Sequence, residues 1–157
     1  MARVIIMKTD IAVYKEMFKS ASVLVVDDAA PMRDLVKYIL RRVGIVNFYE
    51  ASNGDEAFAT LLGAEISLII ADWNMPKLNG VELVAKIRNH DRLKTVPVIM
   101  VSGEGDKSHV IKAIQAGASD YVLKPISAEI LLKKVVKYLW LSQRSEENVF
   151  KESNSNF

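Results

Sequence analysis

The sequence predicts a doubly wound α/β domain, a parallel five-stranded sheet with helices on both faces. Three observations carry this. Segments of strand length, most of them continuous apolar runs, recur five times. A stretch of helical periodicity follows each one. The runs stop at acids, a hydroxyl and a Lys-Pro step, all polar groups that suit the loop face of such a sheet. The 157 residues make one domain of this kind with about 30 left for tails.

The elements follow in order. Ser22 to Asp27 is a continuous apolar run closed by acid and reads as a buried strand. From Pro31, apolar residues fall at Met32, Leu35, Val36, Ile39, Leu40 and Val43, one helical face with Pro at its start and Gly44 past its end. Phe48 to Ala51 reads as a second strand, and Asp55 to Leu62 as a short helix stopped by Gly63. Ser67 to Ala71 is a third buried strand, closed by Asp72, and Val81 to Ile87 its helix. Val96 to Val101 ends at Ser102, and the helix Lys107 to Ala116 ends at Gly117. A fifth strand holds Tyr121 to Leu123 and runs into Lys124-Pro125; Ile130 to Leu141 is the last amphipathic helix. This is (βα)5, and right-handed crossovers favour the flavodoxin-like strand order 2-1-3-4-5. The domain spans 21–141. Residues 1–20 precede it, with a short helix at Ile11 to Phe18 or a loose segment as open alternatives, and 142–157 read as a polar, solvated tail.

Composition narrows the chemistry. There is no cysteine, so disulfides, thiolate metal sites and thiol nucleophiles are excluded. A net charge of +2 is too balanced to argue for nucleic acid. No apolar run approaches the roughly 18–20 residues of a membrane span, and Val4 to Met7 is too short for a signal-peptide core. The expectation is a soluble cytoplasmic protein with no membrane insertion.

The informative residues sit where strands stop. In the order 2-1-3-4-5, Asp27 and Asp28 at the end of the first strand neighbour Asp72 at the end of the third. Two like charges ~4 Å apart repel by about 4 kcal/mol at an effective dielectric of 20, so three carboxylates call for protons or a cation. An all-oxygen set suits a hard ion, Mg²⁺ foremost inside a cell. Lys124 is either a plain counter-ion to the acids or the partner of an incoming phosphoryl group. Ser102 is either a turn cap or a hydroxyl for a phosphoryl oxygen.

These segments resemble a known family. Val25-Val26-Asp27-Asp28, Asp72-Trp73-Asn74-Met75-Pro76 with Gly80, Val98 to Ser102, Ala116-Gly117-Ala118 and Tyr121 to Pro125 are similar to the receiver domain of two-component response regulators, in its single-domain chemotaxis form. The likeness covers about residues 20–141 in unbroken order. It implies that Asp72 accepts a phosphoryl group from a sensor histidine kinase. It implies Mg²⁺ on Asp28, Asp72 and the backbone carbonyl of Asn74, with Asp27 acting through a metal-bound water. Lys124 and Ser102 would hold phosphoryl oxygens, and Tyr121 would change rotamer as Ser102 moves, its hydroxyl at a wet strand edge. Lys124-Pro125 would be cis. A target protein would then bind the face made by the fourth helix, fifth strand and fifth helix of the repeat, carrying Glu104, Lys107, Ile111, Tyr121, Lys133 and Lys137. The implied role is a stand-alone phospho-switch in chemotaxis or flagellar-motor control, a signalling phospho-acceptor rather than an enzyme, with a phosphate sink or relay intermediate as the alternative.

Some positions depart from the family pattern. Ser102 stands where Thr is frequent, followed by Gly103 where Ala is common, so the methyl that stiffens the side chain is missing. The segment 1–20 has no counterpart in a minimal receiver. Trp73 reads as a partly exposed wall of the site and an optical reporter. His90 and His109 lie on charged segments without ligand-like spacing, Met75 and Met100 read as packing, and Lys133, Lys134 and Lys137 as a solvated helix face. Two other classes fit worse. A Mg²⁺-dependent phosphatase would commonly carry a carboxylate two residues after the nucleophile, where Asn74 stands. An FMN carrier needs a donor-rich phosphate loop after the first strand, where Asp27 and Asp28 would repel phosphate.

Overall fold

The computed structural model describes residues 11–103 and 107–154, with side chains through residue 146. Its elements run α1 (Ile11–Phe18), β1 (Ser22–Val26), α2 (Ala30–Arg41), β2 (Asn47–Ala51), α3 (Gly54–Gly63), β3 (Leu68–Asp72), α4 (Gly80–Arg88), β4 (Val98–Ser102), α5 (Lys107–Ala116), β5 (Asp120–Leu123) and α6 (Ala128–Asn154). All four strand pairings are parallel and the order is β2-β1-β3-β4-β5, the predicted topology. Because a helix precedes β1, the fourth and fifth helices of the repeat are α5 and α6.

Period-two alternation splits the sheet into two cores. Val23, Val25, Leu68, Ile70, Ile99, Val101 and Val122 pack with α1, α2 and α6. Leu24, Val26, Ile69, Ala71, Val98, Met100 and Tyr121 pack with α3, α4 and α5. β1, β3 and β4 are buried almost throughout, which is why they read as unbroken apolar runs. The helix starts follow local chemistry. Asn53 and Asn79 cap α3 and α4, the latter in a reciprocal box with Glu82. Gly44 and Gly117 turn the chain at positive φ after α2 and α5.

Both flanking segments contain helix. Of the first 20 residues, α1 is docked: Phe18 is fully buried, stacked on Tyr14 at 5.8 Å. A Cβ on Gly44 would lie 2.4 Å from the Lys15 Cα, so only glycine lets α1 approach the end of α2 this closely. Gln143 Nε2 donates to the Met17 carbonyl at 2.8 Å, tying α1 to α6. Residues 1–10, including Val4 to Met7, lie outside the described residues. α6, expected to end near Leu141, runs on to Asn154. Ser142 to Asn154 holds neither Gly nor Pro, and polar residues such as Gln143, Arg144 and Glu146 continue a helix well. Among the described residues, no helix is long and apolar enough to cross a membrane.

Candidate functional site

The carboxyl ends of β1, β3 and β5 bring Asp27, Asp28, Asp72 and Lys124 to one place, with Ser102 at the end of β4 beside them. Asp27 follows β1, and its Oδ1 accepts from the Ala29 N–H at 2.9 Å, which aims the carboxylate inward. Asp28 beside it is exposed. Asp72 ends β3 and is buried. Oxygens of Asp27, Asp28 and Asp72 all lie within 4.8 Å of one another. Lys124 reaches across from the end of β5, its Nζ 3.4 Å from Asp72 Oδ1 and 3.6 Å from Asp27 Oδ2. The Lys124 N–H donates to the Ser102 carbonyl at 2.7 Å, pinning the two strand ends together, and Lys124-Pro125 is cis.

One lysine does not neutralise three acids. Burial pushes the Asp72 carboxyl above the usual carboxylate range, and the Asp27 charge pushes it the same way. Lys124 and the Asn74 N–H oppose this without overcoming it. A buried acid with its ionised form disfavoured, an acid neighbour and an exposed third acid make an all-oxygen set that fits a hard divalent cation. The loop that follows is shaped to the site. The Trp73 N–H donates to the Val101 carbonyl at 2.9 Å, extending the β3–β4 ladder one residue. Asn74 is exposed, and Lys77 holds a φ of 63°, uncommon for a residue with a side chain. A Cβ on Gly80 would fall 2.5 Å from the Asp72 carbonyl oxygen, so α4 starts directly against the end of β3.

Several placements were not legible in sequence. Ser102 is fully buried. Tyr121, expected at a wet edge, is 9% exposed and packs in the core beside Met100 and Ala113, because α5 covers that side of β5. Lys134 is not part of a solvated stripe: it and the Tyr138 hydroxyl bind the Asp120 carboxylate at 2.5 and 3.1 Å. Lys133 and Lys137 are exposed, as are Lys107 and Ile111; Glu104 lies outside the described residues. Two residues were missed. Arg33 Nη1 donates to the Asp27 carbonyl at 2.7 Å, tying α2 to the acid pair. His109 stacks on Trp73 with centroids 4.8 Å apart and planes 12° from parallel. Arg33 lies two turns of chain past Asp27 and was findable; nothing in the spacing marks His109.

A family model for the response regulator receiver domain matches residues 23–136. The chain belongs to the response regulator receiver family. This receiver is 42% identical over 113 residues to the chemotaxis protein CheY1 of Helicobacter pylori, covering 71% of this chain and 91% of that protein. It is 39% identical over 115 residues to the chemotaxis protein CheY of Pseudomonas aeruginosa, covering 73% and 93%. Among solved structures, the chemotaxis response regulator CheY4 of Vibrio cholerae superposes with a TM-score of 0.70 at 32% identity, covering 75% of this receiver and 98% of that chain. A response regulator receiver protein of Pseudomonas putida gives 0.69 at 33% identity, covering 74% and 96%. α1 lies outside the residues that the family model matches.

Proposed function

We propose that this receiver takes a phosphoryl group from a sensor histidine kinase onto Asp72 in a Mg²⁺-dependent step, and that the modified domain binds a target protein in chemotaxis signalling. The supporting observation is the grouping of three acids within 4.8 Å around a buried Asp72 with Lys124 at 3.4 Å. Asp27, Asp28, Asp72 and the backbone carbonyl of Asn74 would hold the ion. Bound there, a divalent cation supplies positive charge against which phosphoryl oxygens can rest.

An Asp72 oxygen attacks phosphorus, the phosphorus–nitrogen bond of the phosphohistidine breaks, and its electron pair returns to the imidazole. The transition state is loose, so placement and neutralisation carry most of the work. Lys124 already faces Asp72 and would swing onto a phosphoryl oxygen. Ser102 would donate its hydroxyl to another. The product is an acyl phosphate that lasts until water attacks. The face offered to a target is α5, β5 and α6, where Ile111, Ile114, Leu123 and Ile130 are each about half exposed beside Lys107, Lys133 and Lys137. The relatives named for chemotaxis support that pathway.

The test is acetyl phosphate with Mg²⁺, followed by intact-mass analysis. Wild type should gain one phosphoryl group and Asp72→Asn none. A hydroxylamine-stable label on Ser102 would remove Asp72 from the central role.

A further inference from the structure

We infer that His109 is a positioning residue that couples the phospho-acceptor strand to α5 through its stack on Trp73. The inference rests on the acceptor role proposed for Asp72. Trp73 directly follows Asp72 and continues its strand by one ladder bond. Its ring packs against the core shared by α3, α4 and α5. His109 lies in the first turns of α5, and the two rings are nearly parallel with centroids 4.8 Å apart.

Three facts make this contact more than filling. First, the alternation along β3 and β4 puts Trp73 and Ser102 on the side of the sheet occupied by Ala71, Met100 and Tyr121, where α5 packs. Asp72 points to the other side of its strand. A displacement of Ser102 or of the β3 end is therefore transmitted toward α5, and the stack bridges that step. Second, α5 is thinly anchored. Among its residues only Ala113 is fully buried, with Val110 and Ala116 partly so, while α6 buries Leu131, Leu132, Val135, Val136 and Leu139. A single aromatic contact at the start of such a helix has a large share in placing it. Third, both partners are only part-buried, so the rings can slide or separate without opening a core. With the stack intact, a shift at the end of β3 must move the first turn of α5 as well. With the stack gone, Asp72 keeps its acids and its lysine, but α5 no longer follows it.

The experiment uses the full chain in a Trp140→Phe background, which leaves Trp73 as the one remaining tryptophan of two. Three versions are compared: His109 retained, His109→Ala and His109→Phe. Each is treated with Mg²⁺ and acetyl phosphate and followed by intact mass, Trp73 emission and amide exchange over residues 107–116. The alanine variant should label at Asp72, show altered resting emission, and lose the exchange change that labelling produces in α5. The phenylalanine variant, which keeps a stacking ring, should recover that change. A purely structural role would raise resting exchange in α5 and leave the labelling-dependent difference in place, and that result overturns the inference. Failure of phenylalanine to restore the difference also overturns it. Absence of label on the His109-retaining chain would instead overturn the acceptor role of Asp72 and the inference with it.

Discussion

Replacing Asp72 by asparagine should make the resting, cation-free domain more stable. The side chain keeps its shape and loses its charge. In wild type, Asp72 faces two carboxylates within 4.8 Å and one ammonium at 3.4 Å. At an effective dielectric of about 20, each repulsion at 4.8 Å is worth about 3.5 kcal/mol and the attraction at 3.4 Å about 5 kcal/mol. Lys124 cancels more than one of the two repulsions, and the exposure of Asp28 lets solvent and salt screen part of the remainder. The net gain should be about 1–2 kcal/mol, or about 2–8 °C in melting temperature for a domain of this size. The pH dependence has a definite sign. The folded Asp72 carboxyl titrates above its ordinary value, chiefly through burial and then through Asp27. Its contribution to stability is therefore fully present below the unfolded value near ~3.9 and lost as pH rises through the folded value. The advantage of the variant should be small near pH 4, grow as pH rises through the raised folded value, and level off toward neutrality. Urea unfolding in chelator across that range measures it. Mg²⁺ should reverse the ranking, because an ion at 100 times its dissociation constant adds about 2.7 kcal/mol to the form that binds it. A variant less stable than wild type in chelator at neutral pH, or a gap that ignores pH, would show that the Lys124 pairing outweighs the repulsion and would refute the reasoning.

Three further outcomes can be checked separately. Phe18→Ala should cost about 3–5 kcal/mol in urea unfolding, since it empties a fully buried site under α1, yet leave labelling of Asp72 unchanged. Asp120→Asn should cost about 1–3 kcal/mol. Burial alone would raise the Asp120 carboxyl, but Lys134 and the Tyr121 N–H hold it below its ordinary value, so its stabilisation is present above ~3.9 and fades as pH falls through the lower folded value. The Tyr138 hydroxyl, pushed up to about 12 by burial and then by Asp120, should move back toward ordinary phenol in that variant, read by ultraviolet titration. Gly80→Ala should slow labelling of Asp72 in an intact-mass time course at a stability cost of about 1–3 kcal/mol, because the new methyl meets the Asp72 carbonyl at 2.5 Å and α4 must retreat.

The sheet and the acid site were readable because their signals are local. An apolar run closed by Asp27, Asp72 or Ser102 states both a strand and its end in half a dozen residues. The parallel order then brings those ends together without any further information. What escaped depends on contacts between distant segments. Tyr14 and Phe18 form an apolar pair at helical spacing, but nothing near them names the surface at Gly44 and Gln143 that receives them. Ser142 to Glu146 reads as a polar tail, because the pattern of a helix with little to bury resembles that of a solvated chain. Lys134 looked like one more surface cation until the turn at Ser119 and Asp120 placed a carboxylate opposite it. Ring stacking leaves no trace in spacing, so Trp73 and His109 were each legible as residues and illegible as a pair.

The two cores are unequal, and the inequality bears on how a modified Asp72 could act at a distance. The side holding α1, α2 and α6 is filled by branched aliphatics and sealed at one end by Tyr14 and Phe18. It tolerates small displacements poorly, since close-packed branched side chains have few alternative rotamers. The other side also holds branched residues, Leu24, Ile69, Leu83 and Ile87 among them, but intersperses them with Ala57, Ala71, Ala113, Ala118, Met75 and Met100, small or unbranched side chains that can refill space. Tyr121 sits in that second core, next to Met100 in register across β4 and β5. A group added to Asp72 meets a rigid wall behind it and a yielding one across the sheet. The response should therefore emerge on the side of α5, which one buried alanine, the part-buried Val110 and Ala116 and one stacked ring hold, and leave the α1 and α6 side as the frame against which it moves.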